Sequence, residues 1–253
     1  MKYWCFCLLL LSCGREVNHV HLEDEQQYLD FQSFEGRCAT TYSRLHSRSQ
    51  EEFNIGSDRA SEQIKITHLN ELMLLPASVR NFLKLKNVKV NLSSGSVTSF
   101  SKFKHLKNQT PRGWEGSGYT WDSVPGAGDK FGVYLGNPSL PNKSGSLALH
   151  EMGHTIDFNG NLSGDRSWKK AYLYWRNLPH WQDEISKYRF SHIEEFIATA
   201  IDDYYCSSQS RRRLEAWYSG LGSLVKDSMA RLEASSRSDH VFESFSHSIS
   251  ADH

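Results

Sequence analysis

The pentapeptide His150-Glu151-Met152-Gly153-His154 restricts what this chain can fold into more than any other feature of it. Histidines four residues apart share one face of an α-helix, so both imidazoles can reach a single zinc ion at about 2.0 Å, while the glutamate one residue along leans over a metal-bound water. The motif therefore demands a helix, predicted over 147–158, with one face turned into a site. Chance alone would place such a pentapeptide in a chain of this length in about 3% of cases, so it needs support from other residues.

The support starts with the third ligand. A metzincin would need glycine at position 157 and a further histidine at 160; the chain has Asp157 and Gly160, which excludes that class. A carboxylate from a later helix is the usual alternative in a two-histidine site. In Ile193-Glu194-Glu195-Phe196-Ile197-Ala198 the apolar flanks predict a helix packed on the motif helix, and an inward glutamate there needs a charged partner. Glu195 fits as the ligand, and Glu194 suits a solvated or cation-paired position. Asp157 lies three residues after His154 and seven after His150, hence on the histidine face, where it could orient an imidazole.

Leu149 to Asp157, followed by Tyr188 and by Glu194-Glu195-Phe196-Ile197-Ala198-Thr199-Ala200, resembles the catalytic domain of anthrax lethal factor and its relatives, including the secreted Pro-Pro endopeptidases. The likeness extends upstream to Pro111-Arg112-Gly113-Trp114-Glu115-Gly116 and to Thr120 through Gly126, covering roughly 71–234. It implies one Zn2+ per chain held by His150, His154 and Glu195, with Glu151 as general base and Tyr188 as transition-state stabiliser. Lethal factor has an acidic residue four after its glutamate ligand; here that place is Thr199, which can still donate a hydrogen bond next to the metal ligands. Together with a short sheet signal beside several helices, the resemblance implies an α+β zincin-like metallopeptidase domain, its small mixed sheet packed beside the helices and its active-site helix carrying HExxH.

A peptide or protein substrate is expected to add as a strand to a sheet edge, with the segment from Arg112 to Val124 as the candidate wall. There Trp114 could stack on a substrate proline and Arg112 could pair with Glu194; preference for proline is what the relatives imply. A zinc-stabilised binding module without activity, or a host-directed toxin-type protease, are the alternatives. The presence of both Glu151 and Tyr188 favours an enzyme over the first.

The rest of the chain bounds this reading. Its 253 residues suffice for one buried domain after an export segment is removed. Its 29 basic and 29 acidic side chains cancel, leaving no global field for nucleic acid, so no nucleic-acid partner is expected, and a monomer is. Lys2, the apolar stretch from Tyr3 to Leu11 and the order Leu10-Leu11-Ser12-Cys13 read as a signal peptide over 1–12 ending in a lipobox, or as an ordinary cleaved signal. Either way the mature protein is expected outside the cytoplasm, secreted or lipid-anchored through Cys13 to a bacterial envelope, and the membrane is touched only through that lipid. A polar tether over 13–33, a catalytic domain over 34–234 and a flexible Ser-rich tail over 235–253 complete the organisation. Periodicity predicts helices over 57–75, 77–85, 147–158, 167–178, 192–205 and 211–232, and strands around 88–92 and 131–135. Whether Cys38 and Cys206 pair is open at this level.

Overall fold

Val90 and Leu92 alternate with polar residues, and in the computed structural model they lie in an inner strand of a mixed sheet. The structure describes Cys38 and residues 50–111, 116, 118–140, 144–178 and 184–249. The sheet has four strands, β1 (Asn54–Arg59), β2 (Lys89–Ser93), β3 (Gly126–Asp129) and β4 (Gly132–Leu135), in the order β1-β2-β4-β3. β1 and β4 run parallel to β2, whereas β3 folds back antiparallel on β4. Pairing sets Val90 opposite Val133 and Leu92 opposite Leu135, and all four side chains are buried. The hairpin between β3 and β4 is closed by Asp129, whose Oδ1 accepts the backbone N–H groups of Phe131 and Gly132.

Between β1 and β2 the chain forms α1 (Glu62–Leu72) and α2 (Ala77–Leu85), with Pro76 at the N-cap of α2 where its missing N–H costs nothing. After β4 come α3 (Leu147–Gly160), α4 (Arg166–Arg176), α5 (Glu184–Arg189), α6 (Ile193–Cys206), α7 (Ser208–Trp217) and α8 (Leu221–Ile249). The apolar faces of α3 and α6 meet through Leu149, Met152 and Ile156 on one side and Phe196, Ile197 and Ile201 on the other, all buried. Complete burial of each such side chain stabilises the fold by about 1.5–3 kcal/mol, so this helix pair is a large share of the core.

The α+β architecture expected from the sequence is present, with several local differences. The helix predicted over 57–75 starts only at Glu62, because residues 54–59 pair with β2 instead. That strand carries a single aliphatic residue, Ile55, and shows no alternation to read. The helix predicted over 211–232 is two helices, broken where Gly220 takes φ +86°, a left-handed conformation that suits glycine. Helical structure also continues past Ala234 to Ile249; this stretch is Ser-rich but holds neither proline nor glycine to stop it.

Cys38 and Cys206 form a disulfide with Cα atoms 4.8 Å apart, tying the chain ahead of β1 to the end of α6. No helix among the described residues is long and apolar enough to cross a membrane.

Candidate metal centre and active site

Ser146 begins the motif helix: its hydroxyl accepts the Leu149 N–H at 3.1 Å, which satisfies one of the free donors of the first turn. One turn later His150 and His154 point to the same side, with ring centroids 4.9 Å apart and planes nearly perpendicular. α6 brings Glu195 to them. Its Oε2 lies 3.3 Å from His150 Nε2 and its Oε1 lies 3.6 Å from His154 Nε2. The three donor groups converge within 4.8 Å of one another, a grouping that could hold a metal ion.

Glycines allow this convergence. A Cβ at Gly153 would stand 2.7 Å from the Cα of Ala198, so the two helices that carry these donor groups touch backbone to backbone at the fourth motif residue. A Cβ at Gly126 would meet Glu151 Cγ at 2.8 Å, and one at Gly128 would collide with the Glu151 carbonyl oxygen, so β3 runs directly under the motif helix. Replacing Gly153 by Val should force α3 and α6 apart and lower stability by about 1–3 kcal/mol, or roughly 2–12 °C in melting temperature. Thermal unfolding checks this, and an unshifted transition would show that the helices do not need the close approach.

The charges at the centre are mutually dependent. Burial opposes ionisation of Glu195, yet His150 and His154 facing it hold its carboxyl well below the ordinary carboxylate range. Burial likewise opposes a charge on His154, but Glu195 and then Glu151 raise its pKa overall. Glu151 is pushed up by burial, against the pull of both histidines and a hydrogen bond from the Gly128 backbone. Tyr188 is raised well above the usual phenol value by burial and by the charges of Glu195 and Glu151. Its hydroxyl sits 3.3 Å from His150 Nε2, so it shares the centre although the resemblance, and not any periodicity, pointed to it.

The short helix α5 that carries Tyr188 is pinned at its end. Arg189 donates to Asp203 of α6 at 2.8 Å and lies over the Tyr218 ring, and Tyr172 of α4 donates to the Phe190 carbonyl at 3.1 Å. Phe190 in turn stacks on Phe196 with centroids 5.6 Å apart.

The remaining candidates take varied positions. Asp157 is buried and its Oδ1 accepts the Ser163 N–H at 2.6 Å; it acts on His154 through its charge, while His150 Nδ1 has no hydrogen-bond partner among the described residues. Thr199 spends its hydroxyl on the Glu195 main-chain carbonyl at 2.7 Å, so it steadies the turn under the ligand and not the carboxylate itself. Glu194 is half-buried and close enough to Asp157 for its charge to be felt there. Arg112 and Trp114 lie outside the described residues. Gly126, Gly128, Arg189, Asp202 and Asp203 are site-building residues that the sequence reading did not single out. Of these only Asp202 carries a sequence signal, since seven residues after Glu195 is two turns along the same helix face.

Similarity to known proteins agrees with this architecture. A family profile described as "Anthrax toxin lethal factor, N- and C-terminal domain" matches residues 52–217. A Pro-Pro endopeptidase of Clostridioides difficile (strain 630) is 30% identical over 168 residues, which cover 62% of this chain and 74% of the relative. A Pro-Pro endopeptidase of Paenibacillus alvei is 37% identical over 86 residues, 33% of this chain and 40% of that protein. Among solved structures, the Pro-Pro endopeptidase from Paenibacillus alvei superposes with a TM-score of 0.60 at 25% identity, covering 73% of this chain and 98% of the other. With the profile spanning well over half of its length, this chain belongs to the anthrax toxin lethal factor family.

Proposed function

We propose that the protein is a zinc-dependent endopeptidase that hydrolyses peptide chains near proline outside the cytoplasm. The observation that carries the reading is the convergence of His150, His154 and Glu195 with Glu151 and the Tyr188 hydroxyl at one point. Zinc fits the donors on two counts. Ligand atoms of a tetrahedral zinc at 2.0–2.1 Å stand about 3.3 Å from one another, and each Glu195 oxygen lies near that distance from one histidine, Oε2 3.3 Å from His150 Nε2 and Oε1 3.6 Å from His154 Nε2. Glu195 Oε2 is moreover buried without a properly aligned hydrogen bond among the described residues, a costly arrangement that a cation would relieve.

His150 Nε2, His154 Nε2 and the Glu195 carboxylate would hold the ion. When bound, zinc supplies Lewis-acid polarisation of the scissile carbonyl and lowers the pKa of a water towards ~7. Glu151 then takes the proton of the attacking water and passes it to the leaving nitrogen. Tyr188, whose hydroxyl lies 3.3 Å from His150 Nε2, donates a hydrogen bond to the developing oxyanion.

The names of the two relatives support proline in the substrate. The export-like first residues and the Cys38–Cys206 disulfide support an oxidising compartment outside the cytoplasm, with Cys13 as a site for a lipid anchor. The test is to incubate the mature protein with a proline-containing peptide library, identify cleaved bonds by mass spectrometry and measure zinc in parallel. Cleavage together with one zinc per chain is expected. Zinc without cleavage of any member would instead favour a binding module, and absence of zinc would overturn the site.

A further inference from the structure

We propose that the adjacent acids Asp202 and Asp203 on α6 are positioning residues, the first setting the histidine helix against Glu195 and the second setting Tyr188 over the same centre. The proposal rests on the zinc-peptidase reading above and assigns two side chains that the chemistry itself does not use.

Asp202 is buried, two turns past Glu195 on the same face of α6. Its Oδ2 accepts the Gly145 N–H at 2.8 Å and its Oδ1 the Ser146 N–H at 2.9 Å. Ser146 is the N-cap of α3, its hydroxyl donates to buried Glu71 at 2.9 Å, and its carbonyl accepts the His150 N–H at 3.0 Å. The helix that supplies the carboxylate ligand therefore also grips, by side chain, the turn from which the first histidine projects. Apolar contact and the Gly153–Ala198 close approach hold α3 against α6, and two directed hydrogen bonds to consecutive N–H groups add to the register at the start of α3. A metal centre needs its ligands held to within about 0.5 Å, so register is what the contact contributes.

Asp203 does the equivalent for the opposite wall. It accepts from Arg189, which is buried and follows Tyr188 directly in sequence, and the Tyr188 hydroxyl lies 3.3 Å from His150 Nε2. α5 is only six residues long, and the Asp203–Arg189 pair joins the Tyr172–Phe190 hydrogen bond in anchoring the end from which that phenol projects.

The two acids predict separable defects in the full-length protein. Asp202→Asn offers one acceptor to two N–H groups and turns an amide NH2 towards one of them. Zinc affinity, measured by competition with a chromophoric chelator, should fall about 10-fold or more, with a shifted visible spectrum in the Co2+-substituted protein. Asp203→Asn should keep zinc affinity within about twofold and the Co2+ spectrum unchanged, yet lose about 10-fold in kcat on the cleaved peptide with little change in KM. A Val225→Ala variant, in the buried face of α8, serves as the control for general destabilisation. If Asp202→Asn does not fold, Asp202→Glu carries the test, since a carboxylate displaced by one methylene must also weaken zinc.

Wild-type zinc affinity and Co2+ spectrum in the folded Asp202 variant would overturn the proposal, and so would losses that merely track the melting temperature as in the Val225 control. Absence of zinc from the wild-type protein itself would instead strike the metal site, and the proposal with it, so the two failures are distinguishable.

Discussion

Glu151→Gln is expected to lower turnover of the preferred peptide by about 10²–10⁴-fold while leaving zinc at one per chain. Glutamine has the shape of glutamate, and the space for it is already set by Gly126, whose missing Cβ leaves room for the Glu151 stem. What the amide lacks is the ability to take a proton from water and return it to a leaving nitrogen. Glu151 stands beside the three candidate ligands without being one of them, so the substitution separates chemistry from metal binding. Single-turnover cleavage followed by mass spectrometry, with metal analysis of the same sample, reads both quantities. A variant that retains more than a tenth of the wild-type rate would place the base elsewhere. One that loses zinc would show that Glu151 helps hold the ion.

Much of this centre is legible in the amino-acid sequence because helix geometry is local. The spacing of His150 and His154 specifies a face, and the apolar neighbours of Glu195 specify a second buried helix on which an ionised side chain must find a cationic partner. The parts that could not be read are those decided by distant chain segments. Asp203 looks like an ordinary helix acid, and Asp202 shares the face of Glu195 without showing what it binds, until the end of α5 and the start of α3 arrive next to them. Cys38 and Cys206 are separated by 168 residues, and nothing in their local context announces a bond.

Backbone pairing hides other elements in the same way. β1 is held by its ladder with β2, so its sequence shows little hydrophobic pattern, and α5 is too short for periodicity to emerge. Gly153 illustrates the point at a single residue. It reads as an unremarked position inside the motif, yet the backbone of Ala198 passes where its side chain would be. Close approach of α3 to α6 is thus written into the motif, although only the folded chain reveals which residue requires it.

Tyr188→Phe is expected to reduce kcat by about 10²–10³-fold, the usual cost of losing one oxyanion donor, with KM nearly unchanged. The role of Tyr188 depends on where its hydroxyl is held. The hydroxyl stands at the meeting point of the three candidate ligands and Glu151, where a phenolic O–H can donate to an oxyanion. Its hydroxyl reaches the ligand cluster, 3.3 Å from His150 Nε2, and the Arg189–Asp203 pair next to it limits how far the ring can swing. Phenylalanine keeps the ring and removes only the oxygen, so zinc content and melting temperature should remain near wild type. A hydrogen bond made in the transition state and not in the substrate complex lowers kcat alone when removed. Steady-state kinetics on the cleaved peptide therefore decides the role: an unchanged kcat would reduce Tyr188 to a wall of the site, whereas a rise in KM at constant kcat would make it a substrate-binding residue.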